Sequence, residues 1–223
     1  MISEEFAHVE TWVFDLDNTL YPPSARLFDQ IEVLMTDFVM TALGVDRERA
    51  NFLRGHYWET HGTTLAGLMR EHDVDPGPYL DHVHDISLEH LEHEPALAAQ
   101  IEALPGRKII YTNGPQIHAE RVTAARGLAG LFDAIYGVEH AEFRPKPERE
   151  AFEMIFRLDG LDASRAAMFE DDHRNLIAPK AMGMRCILVG PAHETPLEHV
   201  QYQTEDLAHF LSQITSKTCP SDG

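Results

Sequence analysis

Two carboxylates two positions apart close the first apolar run of the chain, Asp15 and Asp17 in "VFDLDNTLYP", residues 13–22. Like charges that close disfavour each other's ionisation unless a cation or a proton sits among them. Polar groups follow other apolar runs as well. Thr19 lies just past the pair. Thr112, Asn113 and Gly114 follow the run at 108–111, and Arg144 and Lys146 lie beyond the run at 134–138. Glu170, Asp171, Asp172 and, a turn later, Asn175 follow the run at 166–169. Several carboxylates, one ammonium and a few hydroxyl and amide donors have one economical use together. Hard oxygen ligands with room for water suit Mg²⁺. Mg²⁺ beside a free carboxylate, a lysine and a hydroxyl makes a site for phosphoryl transfer. Each segment alone has an ordinary structural use: Asn-Gly is a turn signal, and acids at 170–172 suit a helix start. Their order and spacing along one chain favour the chemical use.

Those residues meet only if the elements before them lie side by side. In an open parallel sheet, ligands bind beyond the carboxyl ends of the strands, where these polar groups fall. The apolar runs at 11–14, 108–111, 134–138, 166–169 and 185–189 read as strands, and helical patterns at 95–104, 116–126, 148–158 and 175–182 lie between them. Strands alternating with helices imply right-handed crossovers and a covered parallel sheet, so the fold class is α/β, a Rossmann-like core. From residue 22 to residue 90 no strand is expected. Amphipathic segments at 27–43, 47–59 and 65–71 predict an inserted helical cap (residues 22–90) on a core of residues 1–21 and 91–223.

Composition narrows the partners. The 223 residues carry 18 basic and 37 acidic side chains, a formal net charge of -19, which repels nucleic-acid backbones and anionic membranes. A small anionic substrate stays compatible, because one or two buried cations set the field of a cleft. No apolar run approaches the roughly 20 residues that cross a bilayer, and the acidic start "MISEEFAHVE" is unlike a secretory signal, so a cytoplasmic protein is expected. Cys186 and Cys219 suggest neither a disulfide framework nor a zinc site. The tail from Ser216 to Gly223 is expected to fray. The histidine-rich stretch "DHVHDISLEHLEHE" reads as a solvated face of the cap, not as a metal site.

Asp15-x-Asp17-x-Thr19, Thr112-Asn113, Lys146 and Glu170-Asp171 resemble, in order, the four motifs of the haloacid dehalogenase-like hydrolases. The resemblance spans nearly the whole chain. It implies that Asp15 is the phosphate-accepting nucleophile and Asp17 the general acid and base. It further implies Mg²⁺ on Asp15, a main-chain oxygen of Asp17 and Asp171, with Thr19, Glu170 and Asn175 in support. Thr112, Asn113 and Lys146 would bind phosphate, and Lys146 would also bridge to the nucleophile. The second acid suits phosphoryl chemistry, since displacing halide requires no protonated leaving group. The fourth motif reads Glu-Asp-Asp where many relatives have Asp-Asp-Ser.

The cap stretch "HYWETHGTTLAGLMREHDVDPGPYLDHVHDI", with "DLDNTLYP" and "FEDDHRNL", is similar to the pyrimidine 5'-nucleotidase branch of that superfamily. The similarity implies hydrolysis of nucleoside 5'-monophosphates. Tyr57, Trp58 and His61 could then stack on the base while Thr63 and Thr64 hydrogen-bond to it, though Trp58 is expected chiefly to pack inside the cap. The alternatives are a phosphatase for other small esters such as phosphoglycolate or sugar phosphates, a phosphomutase, or a catalytically silent binding protein. The partner in the leading reading is a small phosphorylated metabolite, and the chain is a monomer or a homodimer.

Overall fold

In the computed structural model, which describes residues 2–192 and 195–215, the apolar runs form a parallel sheet. Cys219 and the tail from Ser216 lie outside the described residues. Among those residues the strands are β1 (Thr11–Phe14), β2 (Arg107–Tyr111), β3 (Ala134–Tyr136), β4 (Ala166–Glu170), β5 (Arg185–Val189) and β6 (Tyr202–Thr204). Their order is β3-β2-β1-β4-β5-β6. The chain starts in the middle, winds out one way through β2 and β3, then returns to β4 on the other side of β1. That reversal opens a crevice at the carboxyl ends of β1 and β4. Val13 pairs in register with Ile109 and Met168, and Phe14 with Ile110 and Phe169, so residues 15, 111–112 and 170 emerge at one level.

Alternation along the strands builds two apolar layers. Trp12, Phe14, Ile110 and Phe169 face one side, where Phe14 and Phe169 stack with ring centroids 4.7 Å apart. Val13, Ile109, Tyr111 and Met168 face the other, against Phe152, Ile155 and Phe156. The helices are α1 (Ile2–Glu5), α2 (Leu27–Leu43), α3 (Arg47–His61), α4 (Thr64–His72), α5 (Pro76–Val83), α6 (Pro95–Ala103), α7 (Gln116–Arg126), α8 (Arg149–Asp159), α9 (Ile177–Ala181) and α10 (Leu207–Thr215). None of the described helices is long and apolar enough to cross a membrane.

Four differences from the sequence expectation have local causes. The strand expected over 134–138 stops at Tyr136, because the Val138 amide turns back to the Gly114 carbonyl at 3.0 Å. The helix expected over 175–182 is broken into a 3-10 turn at His173–Leu176 followed by α9, since Pro179 has no N–H to give the turn before it. Helix α5 was hidden by Pro-Gly-Pro, yet Asp75 caps it by accepting from the Gly77 amide at 3.0 Å, with proline at the first turn. Strand β6 has three residues and no apolar run.

Helices α2 to α5 form the insert after β1. Arg54 on α3 ties it to α2, donating to Glu32 and Thr36 at 2.9 Å each. The two crossings between insert and sheet are gripped by α7. Arg126 donates to the Leu20 carbonyl on the outward crossing and to the Glu92 carbonyl on the return. Arg121 donates to the carbonyls of His84 and Ile86. Gly62, between α3 and α4, has φ 86°, and a Cβ there would stand 3.1–3.2 Å from Pro147 and the Lys146 carbonyl. A residue without a side chain therefore lets the cap loop rest directly on the Lys146 loop.

Candidate active site

At the carboxyl end of β1, Asp15 is 5% exposed and Lys146 1%. The Lys146 ammonium donates to Asp15 Oδ1 at 2.6 Å, Glu170 Oε2 at 2.7 Å and the Tyr111 carbonyl at 3.1 Å. Those three acceptors match the three protons of an ammonium, which is how a charge survives burial. Asn113 holds the lysine's backbone from both sides: its amide nitrogen donates to the Lys146 carbonyl and its oxygen accepts from the Lys146 amide. Glu170 is pinned in turn, its Oε1 accepting from Asn175 at 3.1 Å and from the Asp172 amide at 3.3 Å.

One ammonium cannot neutralise three neighbouring acids. Burial, then the Glu170 charge, pushes Asp15 up to about 8 against the opposing pull of Lys146. Burial, then Glu170 and Asp15, pushes Asp171 up to about 9. Burial works against the charge on Lys146, but the two carboxylates hold it above its ordinary value. Asp15, Glu170 and Asp171 each offer an oxygen within 4.8 Å of the others, the one such cluster of three or more among the described residues. An all-carboxylate donor set with more negative charge than the Lys146 ammonium offsets fits a hard divalent cation such as Mg²⁺. Because both Glu170 oxygens are engaged by protein groups, Asp15 and Asp171 are the acids best placed to hold it. Asp171 receives a long contact, 3.4 Å, from Asn18.

Asp17 has a different environment. Its Oδ1 accepts from the Tyr21 hydroxyl at 2.6 Å and lies 3.5 Å from His118 Nε2. Burial raises this carboxyl, but hydrogen bonding and charge from His118, then Tyr21, bring it below the ordinary value. Two acids two residues apart thus stand in different surroundings, Asp15 against Lys146 and the other carboxylates, Asp17 against Tyr21 and His118. Asp172 is drawn away from the cluster: Arg174 grips both its oxygens at 2.6–3.1 Å and holds it low despite burial.

Above these groups the insert closes a cavity of about 690 Å³ whose walls include Asp15, Asp17, Lys146 and Asp171 below and Phe28, Arg54, Trp58, Thr63, Thr64 and Tyr79 above. Several expected residues stand elsewhere. Tyr57 is 1% exposed, packed under α4 with its hydroxyl 2.6 Å from His72 Nε2, so it faces away from the cavity. His61 pairs with Glu71 at 2.7 Å and is not part of the cavity wall. Of the aromatics expected at the base, the one that lines the cavity is Trp58, 48% exposed instead of buried, with the Arg174 guanidinium 3.4 Å over its ring. The reversal follows from helix phase: one step of 100° separates Tyr57, which meets α4, from Trp58, which meets the cleft.

Thr63 lines the cavity while capping α4, accepting from the Ala66 amide at 3.1 Å, and Thr64 lines it with its hydroxyl directed to the Arg54 carbonyl at 3.4 Å. Asn113 reaches the wall, and its side chain is occupied in holding the Lys146 backbone. Thr112 lies one residue deeper, 1% exposed, accepting from the Gly114 amide. Thr19 is buried with an unpartnered hydroxyl. Of the histidine-rich stretch, His82, His90 and His93 are exposed as expected of a solvated face, but His84 is buried, its ring centroid 4.6 Å from that of His118. Tyr21, Asn18, His84, His118 and Arg174 were missed as site residues. Tyr21 and Asn18 carried a signal by lying within the first acidic segment and Arg174 by lying within the last one; His84 and His118 arrive from elements distant in sequence.

Comparison with known proteins agrees with this geometry. A family model for haloacid dehalogenase-like hydrolases matches residues 9–183. Phosphate metabolism protein 8 of Saccharomyces cerevisiae is 27% identical over 214 residues, or 89% of this chain; the chain spans 65% of that protein's length. Phosphoglycolate phosphatase of Mesorhizobium japonicum is 30% identical over 188 residues, 79% of this chain and 81% of that protein. The magnesium-bound HAD-hydrolase YfnB from Bacillus subtilis shares the fold with a TM-score of 0.57 at 16% identity, covering 94% of this chain and 99% of that one. With the family match extending over most of the chain and the acidic cluster at the sheet's switch point, the protein belongs to the haloacid dehalogenase-like hydrolases.

Proposed function

We propose that the chain is a phosphomonoesterase that hydrolyses nucleoside 5'-monophosphates, pyrimidine nucleotides foremost, through an acyl phosphate on Asp15. The observation that carries the reading is the split between its first two acids. Asp15 sits in the Lys146 and carboxylate cluster, while Asp17 stands apart on Tyr21. An Asp15 oxygen attacks phosphorus and the ester P–O bond breaks. Asp17 gives its proton to the leaving alkoxide, then takes one from the water that attacks the acyl phosphate, so phosphate leaves and both acids return to their starting states. Lys146 holds the nucleophile's orientation and offsets charge on the transferred group. Asp15 and Asp171, with the main chain of Asp17, would hold Mg²⁺, which would supply the remaining positive charge.

The size and lining of the cavity support a nucleotide. About 690 Å³ exceeds what a two-carbon ester needs, and a half-exposed Trp58 offers an aromatic face to a base. A second reading, phosphoglycolate or another small ester, is favoured by the relative of that name from Mesorhizobium japonicum. Substrate comparison separates them. Base stacking contributes about 1–3 kcal/mol, so CMP or UMP should exceed ribose 5-phosphate in kcat/KM by about tenfold or more, and Trp58→Ala should narrow that margin. A higher kcat/KM for phosphoglycolate than for either nucleotide refutes the nucleotidase reading and leaves the small-ester phosphatase.

A further inference from the structure

His118 lies on α7, far in sequence from the acidic motifs, and its side chain has no exposed surface. Neither ring nitrogen makes a hydrogen bond of ordinary length. A buried imidazole carries at least one N–H, and such a donor is normally satisfied. The group before its Nε2 is Asp17 Oδ1, at 3.5 Å, a gap that a small movement of either side chain closes. From behind, the ring is braced by His84, whose own orientation is set by a 2.8 Å contact between Nδ1 and the Leu80 carbonyl. The Tyr21 hydroxyl, itself buried, donates to the same Asp17 oxygen at 2.6 Å. No side chain among the described residues hydrogen-bonds to Oδ2 of Asp17.

We infer that His118 and Tyr21 are positioning residues for the proton-transfer step: together they anchor Oδ1 of Asp17 and so present Oδ2 to the leaving group and the hydrolytic water. The inference rests on the reading of Asp17 as the general acid. It adds that the acid's aim is set by α7 and by the turn after β1, not by the metal cluster. An acid held through one oxygen keeps the other at a fixed place, and misplacing a proton donor by about 1 Å can cost two decades of rate. His84 extends the support into the cap, since its ring is the surface on which His118 rests.

Leaving-group chemistry tests this. Nitrophenolate leaves with little need of a proton, whereas an alkoxide requires one. The fastest of CMP, ribose 5-phosphate and phosphoglycolate serves as the alkyl ester, with nitrophenyl phosphate beside it. His118→Leu and Tyr21→Phe should each lower kcat on the alkyl ester by about 10- to 100-fold, with KM little changed, and lose at most about threefold on nitrophenyl phosphate. His118→Gln, whose amide can donate from near the Nε2 position, should recover at least about fivefold of the His118→Leu loss on the alkyl ester. Equal losses on both esters, or Gln no better than Leu, would overturn the inference, because a packing role alone produces both. Asp17→Asn is measured in parallel. If it too shows no leaving-group selectivity, the acid assignment itself has failed; selectivity in Asp17→Asn without selectivity in the other two overturns the positioning role alone.

Discussion

At the residue scale, one buried lysine and four acids explain why the first motif tolerates its charges. Lys146 pairs with Asp15 and Glu170 at 2.6 and 2.7 Å and offsets part of their charge, and Asp17 is turned out of that cluster toward Tyr21. Asp15→Asn should therefore abolish turnover while leaving the fold intact, because the amide keeps the shape but cannot form an acyl phosphate. A residual rate of a tenth or more on any phosphate ester would contradict the nucleophile assignment. His84 makes a separate prediction about acid stability. Burial, then the His118 charge, lowers it to about 4, whereas in the unfolded chain it titrates near the ordinary value of 6.5. Between those values the unfolded state binds the proton and the folded state does not. Its contribution costs nothing above about pH 6.5 and grows as pH falls toward 4. His84→Phe should flatten the acid side of the stability curve relative to wild type, read as the difference in urea midpoint between pH 7 and pH 4.5. An unchanged difference would show that His84 titrates normally in the fold.

At the element scale, the cap depends on close packing of α3 on α4. Gly67 on α4 lies against Tyr57 on α3, and a Cβ at residue 67 would fall 2.2 Å from the Tyr57 ring. Neither helix can retreat freely, since the ring is fully buried and its hydroxyl is held by His72. Gly67→Ala should destabilise the protein by about 1–3 kcal/mol through overpacking, despite alanine's better helix propensity. Gly55, on α3, is the contrast, because a Cβ there would meet nothing within 4 Å: Gly55→Ala should be neutral or stabilise by up to about 1 kcal/mol. Denaturant unfolding of the two variants side by side checks the pair. Similar effects in both would mean that the α3–α4 contact yields easily.

For the whole molecule, the strand order gathers Asp15, Asp17, Glu170 and Asp171 at one edge of the sheet, and that edge is stable only with its charges balanced. Without a cation the folded state holds protons on Asp15 and Asp171 up to about 8 and 9, while unfolded carboxyls release theirs near 4. The folded state then binds more protons across that window, so metal-free stability falls as pH rises from about 4 to about 9. Mg²⁺ competes with those protons, so its stabilisation should grow over the same range. At saturating Mg²⁺, the rise in Tm should reach about 5–10 °C at pH 9 and be clearly smaller at pH 6. Thermal unfolding with chelator and with Mg²⁺ at both pH values checks this. An equal rise at the two pH values would place the ion elsewhere than on Asp15 and Asp171.

Much of this was legible in the sequence, for a local reason. Strand and helix periodicity, the polar groups at strand ends and the switch from strand to helical insert are near-neighbour properties, so β1, β5, α2 and α7 fell within the expected bounds. The core acids and Lys146 were likewise identifiable, because a parallel sheet carries the residue after each strand to one edge. Helix phase around the cap was not legible. Whether Tyr57 or Trp58 meets the cleft depends on where α4 packs, and Gly67 decides that by admitting the tyrosine ring. The roles of Asn113, His84 and His118 were hidden too. A side chain's hydrogen-bond partner 33 residues away for Asn113, or across the crossing from cap to sheet for the two histidines, is set only when the chain closes on itself. Local pattern determined the chemistry this chain carries; tertiary packing alone decided which side chains hold that chemistry in place, since their contacts join elements that no short stretch of sequence connects.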